Sequence, residues 1–198
     1  MIVKYTLKSI AKNNNIIFIY YNMETTKNKL SPYATTFFNK LGNYLDTKLY
    51  FYGSIQRDDY FNNDSDLDVA IFTDNVSSML SKINNFLNVK KNEFKKFVWK
   101  LNITKNMVNG HKYMYTEPEN NFKAEFCVYD EKCKDDLLLE YHDKIQIPFH
   151  ATILLILIKI IYYKLELISR EWYSYLKGKI LTILCGKPIN HFVIVDIT

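Results

Sequence analysis

The sequence predicts an α/β (α+β) domain, a mixed β-sheet core flanked by helices and followed by a helical lobe. Three observations carry this. An aromatic strand, Leu49–Tyr52, runs into Gly53-Ser54, and an apolar strand, Leu67–Phe72, follows a polar, acidic loop. Apolar residues at helical spacing lie on either side of that pair. Beyond Glu131 the strand alternation gives way to helical runs. The 198 residues suit one domain, or a small α/β domain with a helical appendage, and a hydrophobic fraction of 48% is ample for a core. The expected division is a core over 1–130 and a lobe packed on it over 131–198.

In chain order, Ile16–Tyr21 is an apolar patch too short for a signal-peptide core, so an N-terminal strand or helix is expected. Ser31-Pro32 reads as an N-cap with proline in the first turn. Ala34, Phe37, Phe38, Leu41, Tyr44 and Leu45 then recur on one helical face. Val76, Met79, Leu80, Ile83, Phe86 and Leu87 predict a second helix, capped by Asn75.

From Glu93 to Thr104 the chain is extended, with Phe97, Trp99, Leu101 and Ile103 alternating with Lys96, Val98, Lys100 and Asn102. Asn109-Gly110 predicts the hairpin turn, with Lys112–Thr116 pairing back. Trp99, Tyr113 and Tyr115 are expected in the core or on a sheet face. Asn121–Tyr129 is a further apolar strand holding one acid, Glu125. Asp135–Tyr141 predicts a short helix and Pro148 a break. Ala151–Ile168 predicts a buried helix, because Lys159 and Lys164 interrupt a run too short to span a membrane. Arg170–Cys185 predicts a helix ending near Gly186 and Pro188, and Phe192–Val195 a small strand.

The chemistry concentrates at Gly53-Ser54 and Asp66-Leu67-Asp68. Alternate strand residues share a face, so Asp66 and Asp68 project together and repel each other. A cation between them relieves that, and hard oxygen ligands suit Mg²⁺. Gly53 permits a tight turn and close approach, and Ser54 with neighbouring N–H groups suits phosphate oxygens. A calcium loop counted from Asp64 fails, since Val69 and Asn75 stand where it needs Gly and Glu. A solvated acidic turn is the plainer alternative, but Asp68 lies in an apolar run where an unpaired charge is costly.

Gly53-Ser54, Arg57, Ser65-Asp66-Leu67-Asp68 and the flanking strands resemble the signature of the DNA polymerase beta nucleotidyltransferase superfamily, in its minimal form. Asp58 replaces a glycine often found after that arginine, and the loop is about one residue longer than the commonest spacing. The resemblance implies a nucleotidyltransferase core that binds a nucleoside triphosphate. It implies transfer of its NMP to an acceptor hydroxyl with release of pyrophosphate. Two Mg²⁺ ions, replaceable by Mn²⁺, would be bridged by Asp66 and Asp68. It also implies a third carboxylate from a later strand, which would bind metal and help deprotonate the acceptor. Ala124-Glu125-Phe126 fits, with Asp130 as the alternative. A plainer role for Glu125 is pairing with Lys123. Gly53 and Ser54 would hold the β- and γ-phosphates and Arg57 would add a bidentate contact. The family's lobe helps hold nucleotide or acceptor, which points to Tyr173, Tyr175, Lys177 and Lys179, although helix surface and core explain these equally well.

The acceptor is less defined. A net charge of +5 beside an acidic site favours polyanions. Lys90, Lys91, Lys95, Lys96, Lys100 and Lys105, interleaved with aromatics, suit a DNA or RNA backbone, although a solvated strand face is the commoner explanation. A small molecule, a protein side chain or a tRNA end are alternatives, as is a non-catalytic nucleotide-binding module. Cys127, Cys133 and Cys185 form no Cys-x-x-Cys pair, which argues against zinc and for a reducing, cytoplasmic setting. No membrane partner is expected.

Overall fold

A computed structural model describes residues 23–62, 64–90, 93–186 and 193–194. The expected element over Ile16–Tyr21 and the stop at Pro188 lie outside the described residues.

Helix α1 (Pro32–Leu45) starts as its sequence requires: the Ala34 N–H donates to Ser31 Oγ at 3.1 Å, and proline occupies the first turn. It leads into β1 (Tyr50–Tyr52), a 3₁₀ turn (Gly53–Gln56) and β2 (Leu67–Thr73). Helix α2 (Val76–Leu87) is capped by Asn75, whose side chain accepts from the Ser78 N–H at 3.0 Å. Then come β3 (Lys95–Lys100), β4 (Met107–Glu117) and β5 (Phe122–Asp130). The helical part comprises α3 (Lys134–Ile145), α4 (Phe149–Lys159), which runs on into a π-helical turn (Ile160–Lys164), and α5 (Arg170–Cys185). The short β6 (Val193–Ile194) ends the described chain.

The strands form one mixed sheet in the order β1-β2-β5-β4-β3-β6. β2 and β5 are parallel and every other neighbour is antiparallel. Side-chain alternation gives the sheet two apolar faces. On one, Phe51, Val69, Ile71, Phe126 and Val128 pack under α1 and α2. On the other, Tyr50, Ala70, Phe72, Phe97, Trp99 and Tyr129 meet Leu137, Leu138 and Tyr141 of α3. Tyr113 and Tyr115 line the first face and Trp99 the second, as expected.

The β3–β4 hairpin turns earlier than Asn109-Gly110. Leu101–Asn106 makes the turn, closed by the Leu101 N–H donating to the Asn106 carbonyl at 2.9 Å, and Asn109 and Gly110 lie inside β4. Glu140 of α3 is buried and accepts from the Asn102 and Ile103 N–H groups at 2.9 and 3.0 Å, which fixes the turn there. Gly110 serves packing instead: a Cβ would lie 2.5 Å from the Tyr129 ring and 2.8 Å from Phe97.

The run expected as a buried helix over Ala151–Ile168 is shorter and half-exposed. In α4, Ala151, Thr152, Leu155, Ile158 and Lys159 are buried, while Ile153, Leu154 and Leu157 face outward. The π-turn then widens the helix, with the Leu165 N–H reaching the Ile160 carbonyl at 3.0 Å. Among the described residues, no single helix is long and apolar enough to cross a membrane.

Candidate active site

The sheet register builds the site. Tyr52 of β1 pairs with Asp68 of β2, and Asp68 pairs with Glu125 of β5. Paired residues share a face, so both carboxylates stand on the α3 side, at the end of the sheet where β1 turns. Asp66, one residue before β2, belongs to the same alternation. Asp130 pairs with Thr73 at the opposite end of β2 and accepts from the Lys132 N–H at 2.9 Å as the cap of the following turn.

Gly53 fits against this acid for a steric reason. Its φ is +73°, and a Cβ there would stand 1.8 Å from Asp68 Oδ2. Only a residue without a side chain lets the turn close over the carboxylate. Ser54 follows at the start of the 3₁₀ turn and is nearly buried. The segment before α1 fastens this turn from outside: Asn28 Nδ2 donates to the Ile55 and Arg57 carbonyls at 2.9 and 2.7 Å. Gln56 Nε2 reaches the Thr25 carbonyl at 2.5 Å.

The site is electrostatically uneven. The recessed position of Asp68 and the negative charge of Glu125 push its carboxyl up to about 7; Asp66 adds to this, while the cationic Lys177 and Arg57 pull the other way. Glu125 is turned toward the sheet: its Oε2 lies 3.7 Å from Lys112 Nζ, and Cys127 Sγ donates to its Oε1 at 3.8 Å. Its ionic partner is therefore Lys112 across the strand pair. Behind it, the Tyr52 hydroxyl donates to Cys127 Sγ at 3.3 Å and the Tyr52 ring stacks on Tyr141, centroids 4.0 Å apart. Burial pushes the Cys127 thiol well above its ordinary range. Among the described residues no group of three or more His, Cys, Asp or Glu side chains is drawn together as a closed metal cage.

Arg57 is buried and faces Asp59. Its Nε and Nη2 donate to the two Asp59 carboxylate oxygens at 2.7 and 3.0 Å. Lys159, from α4, completes the cluster with Nζ 3.1 Å from Asp59 Oδ2. Sequence reading missed both Asp59 and Lys159. A lysine inside a dense apolar run was the available signal, since such a cation needs a buried anion.

The α5 residues divide by helical spacing. Tyr173 stacks on Tyr162 with centroids 4.6 Å apart, and Lys177, one turn on, carries the charge felt at Asp68. Tyr175 is 53% exposed and lies under Lys179 at 5.5 Å, off that face. The lysines of β3 divide too. Lys95 pairs with Lys112 on the acidic face, whereas Lys96 pairs with His111 on the other.

A family model for the nucleotidyltransferase domain matches residues 34–180. The chain belongs to that family. No curated protein and no solved structure matches it. The matched span runs from α1 through most of α5, so strands β1 to β5 and most of the helical part fall within it, and β6 lies beyond it. Transfer of a nucleoside monophosphate is the chemistry of the family, and a nucleoside triphosphate is its substrate.

Proposed function

We propose that this nucleotidyltransferase domain transfers NMP from a nucleoside triphosphate to an acceptor hydroxyl with divalent-metal assistance, releasing pyrophosphate. The observation that supports it most is the register of Asp68 beside Glu125, with Gly53 closed against the Asp68 carboxylate. The donors are all carboxylate oxygens; burial raises the Asp68 carboxyl first and the charges of Glu125 and Asp66 add to it, a repulsion that a hard cation such as Mg²⁺ relieves. Asp66, Asp68 and Glu125 would hold it. When bound, Mg²⁺ supplies charge neutralisation at the attacking and leaving oxygens.

The chain's own groups carry the rest. Glu125 accepts the proton of the acceptor hydroxyl, and Lys112 and Cys127 hold its two oxygens in place meanwhile. Gly53, Ser54 and the N–H groups of their turn hold the β- and γ-phosphates. Arg57 adds positive charge beside them, and Lys177 adds more from α5. The proposed acceptor is DNA or RNA, supported by the net charge of +5 and by the pairing of Lys95 with Lys112 on the acidic face. Incubation with each labelled triphosphate and Mg²⁺ or Mn²⁺ tests this, offering nucleic-acid, small-molecule and protein acceptors. Label moving only to a small molecule or protein redirects the acceptor. Triphosphate binding without transfer to any acceptor leaves a non-catalytic module.

A further inference from the structure

We infer that Asp59 and Lys159 are positioning residues that set Arg57 for the triphosphate and keep it electrically available, an inference that rests on the nucleotidyl-transfer reading. Arg57, Asp59 and Lys159 are 7%, 0% and 2% exposed, so little water competes with their contacts. The fork of Arg57 on Asp59 uses both carboxylate oxygens and fixes the guanidinium plane. Asp59 takes two of the five N–H donors that an arginine carries. Left to itself, however, a buried Arg–Asp pair is neutral and offers a phosphate little attraction.

Lys159 changes that balance. Its Nζ reaches Asp59 Oδ2 at 3.1 Å and the Asp59 carbonyl at 2.6 Å. One carboxylate thus faces two cations, and the cluster keeps one unit of positive charge. The same ammonium donates to Ser65 Oγ at 3.2 Å. Ser65 immediately precedes Asp66, and its Oγ also accepts from the Phe61 N–H at 3.2 Å. A single side chain from α4 therefore ties the stretch that carries Arg57 to the stretch that carries Asp66. Neither Asp59 nor Lys159 needs to touch the nucleotide to act in this way.

The test uses the full chain and calorimetric titration of each common nucleoside triphosphate with Mg²⁺, alongside steady-state kinetics. Lys159→Met keeps length and apolar packing but removes the charge. It is expected to raise Kd and KM for the triphosphate about tenfold, with kcat at saturation within about twofold. Lys159→Arg is expected to restore both. The Arg57 Nε–H resonance is expected to move in Lys159→Met and to return in Lys159→Arg, a response that a purely structural role for Lys159 would not link to KM. If Lys159→Met does not fold, Asp59→Glu, which keeps the charge on a longer arm, carries the same expectation of raised KM and retained kcat. Wild-type binding with unchanged binding in Lys159→Met, or in Asp59→Glu where that replaces it, overturns this inference alone. Wild-type protein that binds no triphosphate overturns the nucleotidyl-transfer reading and this inference with it.

Discussion

Gly53 closes against the carboxylate of Asp68 so tightly that a single added carbon would lie 1.8 Å from Oδ2. Gly53→Ala must either push Asp68 aside or open the turn, and it also places a side chain at φ +73°. The expected cost is about 1–3 kcal/mol from the backbone alone, with transfer lost. Thermal unfolding and a turnover assay check this. An alanine variant with wild-type turnover would show that the turn and the acid are not one unit.

Asp68→Asn separates function from stability. It removes a charge proposed to hold metal, so turnover should vanish, while unfolding in chelator should occur at the same temperature or slightly higher because repulsion from Glu125 and Asp66 is relieved. Wild-type turnover in this variant would remove Asp68 from the chemistry.

Glu125→Gln should slow the chemical step by orders of magnitude and only modestly weaken triphosphate binding, as measured by single turnover and by titration. Asp130→Asn is the control. Asp130 lies five register positions further along β5, roughly 17 Å away at strand rise, and should leave turnover unchanged. The reverse pattern would transfer the role to Asp130.

Asp59 controls acid stability. Arg57 and Lys159 hold its carboxyl down at about 2, against an ordinary 3.8, despite the opposing effect of burial. A group with a depressed folded pKa stabilises fully above its unfolded value and loses that contribution as pH falls through the folded one. The fold should therefore lose about 2 kcal/mol between roughly pH 4 and 2 through this group. Asp59→Ala should cost more, about 3–5 kcal/mol at neutral pH, because two buried cations lose their anion. Urea titrations at several pH values check both, and an acid limb unaltered by Asp59→Asn would refute the assignment.

The strand lysines test the acceptor. Lys95→Glu, on the acidic face, should weaken nucleic-acid binding and flatten its salt dependence by about one unit of slope. Lys96→Glu, on the opposite face, should not. Gel-shift titrations at low and moderate salt decide: equal effects of the two changes, or no binding by the wild type, point to a small or proteinaceous acceptor.

The parts legible in the sequence are those with local causes. Ser31-Pro32 and Asn75 announce their helix starts because capping is settled within one turn, and Asp66-Leu67-Asp68 shows a shared face because strand alternation is strict. Glu125 was legible only through resemblance; its position beside Asp68 depends on the parallel register of β2 with β5, which no local pattern encodes. Asn109-Gly110 misled because the dipeptide favours a turn, while the rings of Phe97 and Tyr129 required a residue without a side chain inside β4. The Asp59–Lys159 contact joins positions a hundred residues apart, so no local pattern pairs the lysine of the apolar run with its anion.

The π-turn at Ile160–Lys164 sets the phase of the side chains beyond Lys159. Such a turn closes on the fifth residue rather than the fourth, so it holds one residue more than ordinary winding needs. Excising one residue there would restore ordinary winding but rotate the residues beyond the excision by about 100° relative to Lys159. Tyr163 would leave Phe61, now 6.4 Å away between ring centres, and Lys164 would leave Asp64, now 2.9 Å away. The loop ahead of Asp66 and the helix that clasps it are thus matched in length.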